Sequence, residues 1–126
     1  MDALPEPERA AVLLVDDEPG LLATLRPALE AHFDVDCASS AEEAELLLGT
    51  RTYDVVVSDH LMPGEAGLKF LMRVATRRPA TRRILLTGYM NPELLSRSVS
   101  VANLSACLVK PVHAADVAQA ILTSLR

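Results

Sequence analysis

The sequence has no tryptophan, and its two tyrosines and two phenylalanines make up 3% of 126 residues. A core must therefore be built from Leu, Val, Ala and Ile, which carry most of the 50% hydrophobic content. With only two cysteines there is no disulfide scaffold, and with five aperiodic glycines no collagen-like repeat. The hydrophobic half equally excludes a disordered chain. No apolar run approaches the ~18 residues that span a bilayer. Residues 1–9 are acidic and proline-containing where a secretory signal would be basic and then apolar. Basic residues are also short, 12 against 17 acidic, and the net charge of −5 repels a nucleic acid backbone. We therefore expect a cytoplasmic protein with no direct nucleic acid or membrane ligand, whose Cys37 and Cys107 are reduced thiols.

What is present is an alternation. Short runs rich in Val, Ile and Leu occur at 11–15, 35–38, 55–57, 84–86 and 106–109. They lack strict polar alternation, as befits parallel strands covered on both faces. Between them lie helical stripes: Leu21, Leu22, Leu25 and Leu29; Ala44, Leu47 and Leu48; Leu68, Leu71, Met72 and Ala75; Leu95, Val99 and Ala102; Val117, Ile121 and Leu125. Ser40 with Glu43 has capping-box spacing, Gly49 offers a stop, and Asn91 precedes a proline suited to a first helical turn. Pro27 conflicts with its helix and should kink it or remove a hydrogen bond. Five strand–helix pairs with right-handed crossovers predict an α/β, (βα)5 doubly wound parallel sheet. We expect one domain over 11–126, preceded by a flexible leader over 1–10.

Ligands of such sheets bind beyond the carboxyl ends of the strands. The residues there are Asp16, Asp17 and Glu18 after the first strand, Ser58 and Asp59 after the third, Thr87 and Gly88 after the fourth, and Lys110 and Pro111 after the fifth. Each alone reads as an ordinary loop or cap residue. Jointly they place carboxylates, a hydroxyl and a lysine on one sheet edge. Crowded carboxylates stay ionised around a hard cation such as Mg²⁺. A phosphoryl group can then approach, with Lys110 and Thr87 meeting its oxygens and one carboxylate as nucleophile.

The segments LLVDDEP at 13–19, VVVSDHLMPGEAG at 55–67, ILLTGY at 84–89 and LVKP at 108–111 resemble the receiver domains of bacterial two-component response regulators. The likeness runs from about residue 11 to 125 and implies a flavodoxin-like sheet of strand order 2-1-3-4-5. It implies Asp59 as phosphoacceptor, Thr87 and Lys110 as the hydroxyl and lysine that meet the phosphoryl group, and Mg²⁺ held by Asp16, Asp17, Asp59 and the Leu61 backbone carbonyl. It also implies a cis bond before Pro111, and a loop and helix start at Met62, Pro63 and Gly67. The expected partners are a sensor histidine kinase or histidine phosphotransfer protein and a downstream effector. The expected output is a changed surface of helix 4, strand 5 and helix 5, with dimerisation on phosphorylation. Such a domain is no enzyme beyond its own phosphorylation and dephosphorylation.

Two positions depart from the family. Cys107 stands where an aromatic ring is usual three residues before the lysine, so switching is expected instead in residues 88–92, with Tyr89 as the ring. Asn103 stands where glycine is usual, a change that a left-handed asparagine tolerates. A phosphorelay shuttle and a phosphorylation-independent interaction module are the alternative readings. A small aspartate-nucleophile phosphatase fits less well, since Leu61 occupies the place of its second acid. The bland readings stand for His60, His32 and His113, and the arginines 73, 77, 78, 82 and 83 read as a solvated helix end and loop.

Overall fold

The computed structural model describes residues 9–88 and 92–126, of which 92, 94, 95 and 98 are described by backbone only. The elements are β1 (Ala11–Val15), α1 (Pro19–Glu30), β2 (Asp34–Ala38), α2 (Ala41–Leu48), β3 (Val55–Asp59), α3 (Gly67–Arg77), β4 (Arg82–Thr87), α4 (Pro92–Ala102), β5 (Ala106–Val109) and α5 (Ala114–Ser124). The strands form one parallel sheet in the order β2-β1-β3-β4-β5, as the resemblance implies. Successive strand residues point to opposite faces, so β1 sorts its apolar run in two. Ala11, Leu13 and Val15 pack with Ala44 and Leu48 of α2 and Phe70, Leu71 and Val74 of α3. Val12 and Leu14 pack with Leu25 and Leu29 of α1 and Val117 and Ile121 of α5. Burial on both faces is why the strands read as continuous apolar runs.

The local signals resolve with small differences. The Ser40 hydroxyl accepts from the Glu43 N–H at 3.0 Å, but the Glu43 carboxylate turns back to the N–H of Ser39, not Ser40. Gly49 caps α2 at φ −76°, a value open to any residue, whereas Asn103 after α4 is left-handed at φ 49°. Pro27 lies inside an unbroken α1. Both Pro27 and Ala23, whose carbonyl loses its helical partner, are exposed, so the proline's missing N–H leaves no buried acceptor behind. Asn91, the expected cap of α4, and Tyr89 lie outside the described residues.

The arginine reading needs correction. Arg77 and Arg82 are exposed, but Arg83 is only 4% exposed. Its guanidinium donates to the carbonyls of Ala102 at 3.0 Å, Asn103 at 3.2 Å, Thr81 at 2.6 Å and Pro79 at 3.4 Å. Two of these carbonyls end α4, where the helix dipole favours a cation. Burial, and secondarily the charge of Arg82, hold the Arg83 guanidinium below its ordinary pKa. Arg73 and Arg78 are also engaged, Arg73 with two glutamates and Arg78 with the Leu48 carbonyl at 3.3 Å. A run of arginines says nothing of direction, and β4 turns the second of the pair Arg82-Arg83 inward.

Candidate functional site

Parallel pairing brings the strand ends of β1, β3, β4 and β5 to one edge. Bonds beyond each strand end then fix the residues of interest. The Asp16 N–H donates to the Ala38 carbonyl at 3.0 Å, the His60 N–H to Leu86 at 2.9 Å, and the Lys110 N–H to Thr87 at 2.7 Å. Asp16, Asp59 and Thr87 are buried and Asp17 is half-buried. Asp16, Asp17 and Asp59 each bring a carboxylate oxygen within 4.8 Å of the others. Three hard oxygen donors so close together suit a small divalent cation, and their mutual repulsion falls when one is held.

Lys110 is the counterweight. Its Nζ lies 3.1 Å from Asp16 Oδ2, 3.1 Å from Asp59 Oδ1 and 3.2 Å from Glu18 Oε1. Burial works against the ammonium charge, yet hydrogen bonds to Asp59, Asp16 and Glu18 outweigh it and raise the lysine pKa. For Asp16 burial dominates and raises the carboxyl pKa, although the Glu18 N–H and Lys110 pull the other way. That N–H lies 2.9 Å from Asp16 Oδ1. The peptide bond between Lys110 and Pro111 is cis, as the resemblance implies.

The chain after Asp59 is held at its base. The Gly67 N–H donates to the His60 carbonyl at 2.8 Å. The Leu68 N–H donates to His60 Nδ1 at 3.3 Å, so His60 braces the start of α3. Gly67 is required by contact: a Cβ there would lie 1.8 Å from the Asp59 carbonyl oxygen. Gly67→Ala is expected to cost about 2–3 kcal/mol through overpacking, read as a lower urea midpoint at unchanged slope. An unchanged midpoint would show that the loop yields freely.

The site joins Asp16, Asp17, Asp59 and Lys110, with Thr87 at the end of the strand beside Asp59. The Leu61 side chain is 72% exposed. Glu18 was placed at this edge by its position after β1, but its bond to Lys110 could be foreseen only with the fifth strand in place. Cys37 and Cys107 are both free and lie on β2 and β5, opposite edges of the sheet. Cys107 packs against the core on the α2 and α3 side. No helix among the described residues is long and apolar enough to cross a membrane.

Comparison with known proteins places this geometry. Residues 12–122 match the response regulator receiver domain. The hydrogenase transcriptional regulatory protein HoxA of Cupriavidus necator is 38% identical over 82% of this chain and 22% of its own length. The acid tolerance regulatory protein ActR of Rhizobium meliloti is 34% identical over 89% of the chain and 58% of its own. The chain thus spans between about a fifth and three fifths of these relatives. Among solved structures, the signal receiver domain of an HD domain-containing protein from Pseudomonas fluorescens Pf-5 superposes with a TM-score of 0.86 at 28% identity, covering 99% of this chain and 93% of that one. A CheY-like receiver domain protein from Methanospirillum hungatei gives 0.86 at 26% identity, over 94% of both chains. The protein is a member of the response regulator receiver domain family.

Proposed function

We propose that this receiver takes a phosphoryl group from a histidine kinase or histidine phosphotransfer protein onto Asp59. The observation that carries the reading is the Asp59 carboxylate lying between two further aspartates and the Lys110 ammonium, 3.1 Å away. An Asp59 carboxylate oxygen attacks phosphorus while the phosphorus–nitrogen bond of the donor phosphohistidine breaks. The imidazole leaves with the electron pair and is protonated. Asp16, Asp17, Asp59 and the Leu61 carbonyl are the groups that would hold Mg²⁺, which when bound supplies positive charge to the phosphoryl oxygens. Lys110 exchanges its bond to Asp59 for one to a phosphoryl oxygen, while Asp16 and Glu18 keep the ammonium oriented. The Thr87 hydroxyl donates to another phosphoryl oxygen. Catalysis goes no further than this chain's own phosphorylation and its reversal.

The output we assign to the face of α4, β5 and α5, passed to an effector protein or domain, including a second phosphorylated copy. Cys107 offers no ring to relay the change, and the expected alternative at 88–92 falls largely on residues outside those described. A cytoplasmic place follows from the phosphohistidine donor. The same thiol favours a second reading, a relay that hands the phosphoryl group to another histidine with little change of surface. Amide hydrogen exchange with and without beryllofluoride separates the two: slowed or quickened exchange along α4 supports switching, and changes confined to the Asp59 loops support the relay.

The reading as a whole is tested by incubation with acetyl phosphate and Mg²⁺, followed by peptide mapping. One base-labile phosphoryl group on Asp59 is expected, and a label elsewhere or none would overturn it. Asp17→Ala is expected to weaken Mg²⁺ binding about tenfold or more, the loss of one short-range unit-charge interaction. Calorimetric titration reads this, and an unchanged affinity would remove Asp17 from the site.

A further inference from the structure

Between Asp59 and α3 the chain makes an excursion over residues 61–66 that the His60 bonds close only at its base. Its far end is held by something else. The Glu65 carboxylate receives two parallel bonds from Arg73, from Nη1 and Nη2 at 2.7 Å each. The Nε of the same guanidinium donates to Glu45 Oε1 of α2 at 3.2 Å. The guanidinium lies 5.8 Å from the Phe70 ring centroid, which stacks it on α3. Side-chain exposure is 29% for Arg73, 26% for Glu65 and 25% for Glu45, so the clasp is largely withdrawn from solvent and its geometry is bidentate.

We infer that Arg73 is a positioning residue for the acidic site, a clasp that holds residues 61–66, and with them the Leu61 carbonyl, in the shape that receives a cation. The inference rests on the metal reading above. A segment already in its bound shape has less conformational freedom to lose when the ligand arrives. Arg73 belongs to α3 and its partner Glu45 to α2, so one guanidinium ties Glu65 to two helices from outside while Gly67 and His60 hold the segment from below.

In Arg73→Met the sign of the effect distinguishes a clasp from a general charge effect, whereas Glu65→Gln, which itself removes a negative charge, is read by its exchange at 61–66. Arg73→Met removes a positive charge near an acidic site, and electrostatics alone would then tighten cation binding. Loss of the clasp predicts weaker binding. The test is calorimetric titration of the metal-free full chain with MgCl2, for the parent, Arg73→Met, Glu65→Gln and Arg73→Lys. Thermal melts and amide hydrogen exchange over residues 61–66 accompany it. Arg73→Met and Glu65→Gln are expected to bind Mg²⁺ about three- to tenfold more weakly and to exchange faster at 61–66. Arg73→Lys falls between, since an ammonium cannot engage both oxygens of Glu65 in parallel. It also serves where the methionine variant does not fold. Folded variants that bind as tightly as the parent, or tighter, overturn the clasp and leave the site standing. A parent that binds no Mg²⁺ overturns the site reading and the clasp with it.

Discussion

Asp59→Asn is expected to reduce phosphorylation by acetyl phosphate and Mg²⁺ to background, a loss of about a hundredfold or more, the usual scale for removing a nucleophile from a preorganised site. The amide keeps the shape of the carboxylate but offers no anionic oxygen to attack phosphorus. Folding should survive, because Lys110 keeps its bonds to Asp16 at 3.1 Å and Glu18 at 3.2 Å, and one charge fewer lessens repulsion among the acids. Intact-mass spectrometry over a time course measures the effect, with the thermal midpoint as control. A label that persists at the parent's extent would move the nucleophile to another residue.

Arg83→Leu is expected to have the largest effect on stability. The leucine fills the apolar part of the space but leaves the carbonyls of Ala102, Asn103, Thr81 and Pro79 without the guanidinium that now serves them. The bonds to Ala102 and Thr81 are buried and those to Asn103 and Pro79 only partly so; an unsatisfied buried acceptor costs about 1–3 kcal/mol, offset by the desolvation cost of a charge that is no longer buried. The net expectation is about 3 kcal/mol, or about 10 °C in Tm for a chain of this size. Arg83→Lys keeps the charge but fewer donors, and should recover part of the loss. An unchanged Tm in Arg83→Leu would mean that stripping water from the guanidinium costs as much as its hydrogen bonds return.

These two residues also mark what a sequence can and cannot convey. Asp59 was legible because it follows an apolar run, and parallel topology alone carries every such residue to the same edge. The gathering of Asp16, Asp17, Asp59 and Lys110 followed from that rule and the two covered faces from the continuous apolar runs, whereas the strand order was implied by the family resemblance. Arg83 was not legible, because its inward direction depends on where β4 begins. Apolar content placed that strand at 84–86, whereas pairing of Arg82 with Val55 starts it two residues earlier. The Glu65–Arg73–Glu45 cluster was hidden for a related reason. Its members come from three separate segments, and only the packing of α2 beside α3 brings them together. The bond between Glu18 and Lys110 joins the first strand end to the last, a closeness that no local pattern carries.

That last closeness has a consequence for synthesis. Lys110 lies 94 positions beyond Asp16, its partner at 3.1 Å. At the pace of translation this separation is about 5–20 s. During that interval a growing chain carries its aspartates without the ammonium that balances them. The acidic half is made first and the cation that completes it arrives with the closing edge strand of the sheet. On the reading proposed above, competence to accept a phosphoryl group waits for β5, the strand that delivers Lys110 to the edge where the aspartates already stand.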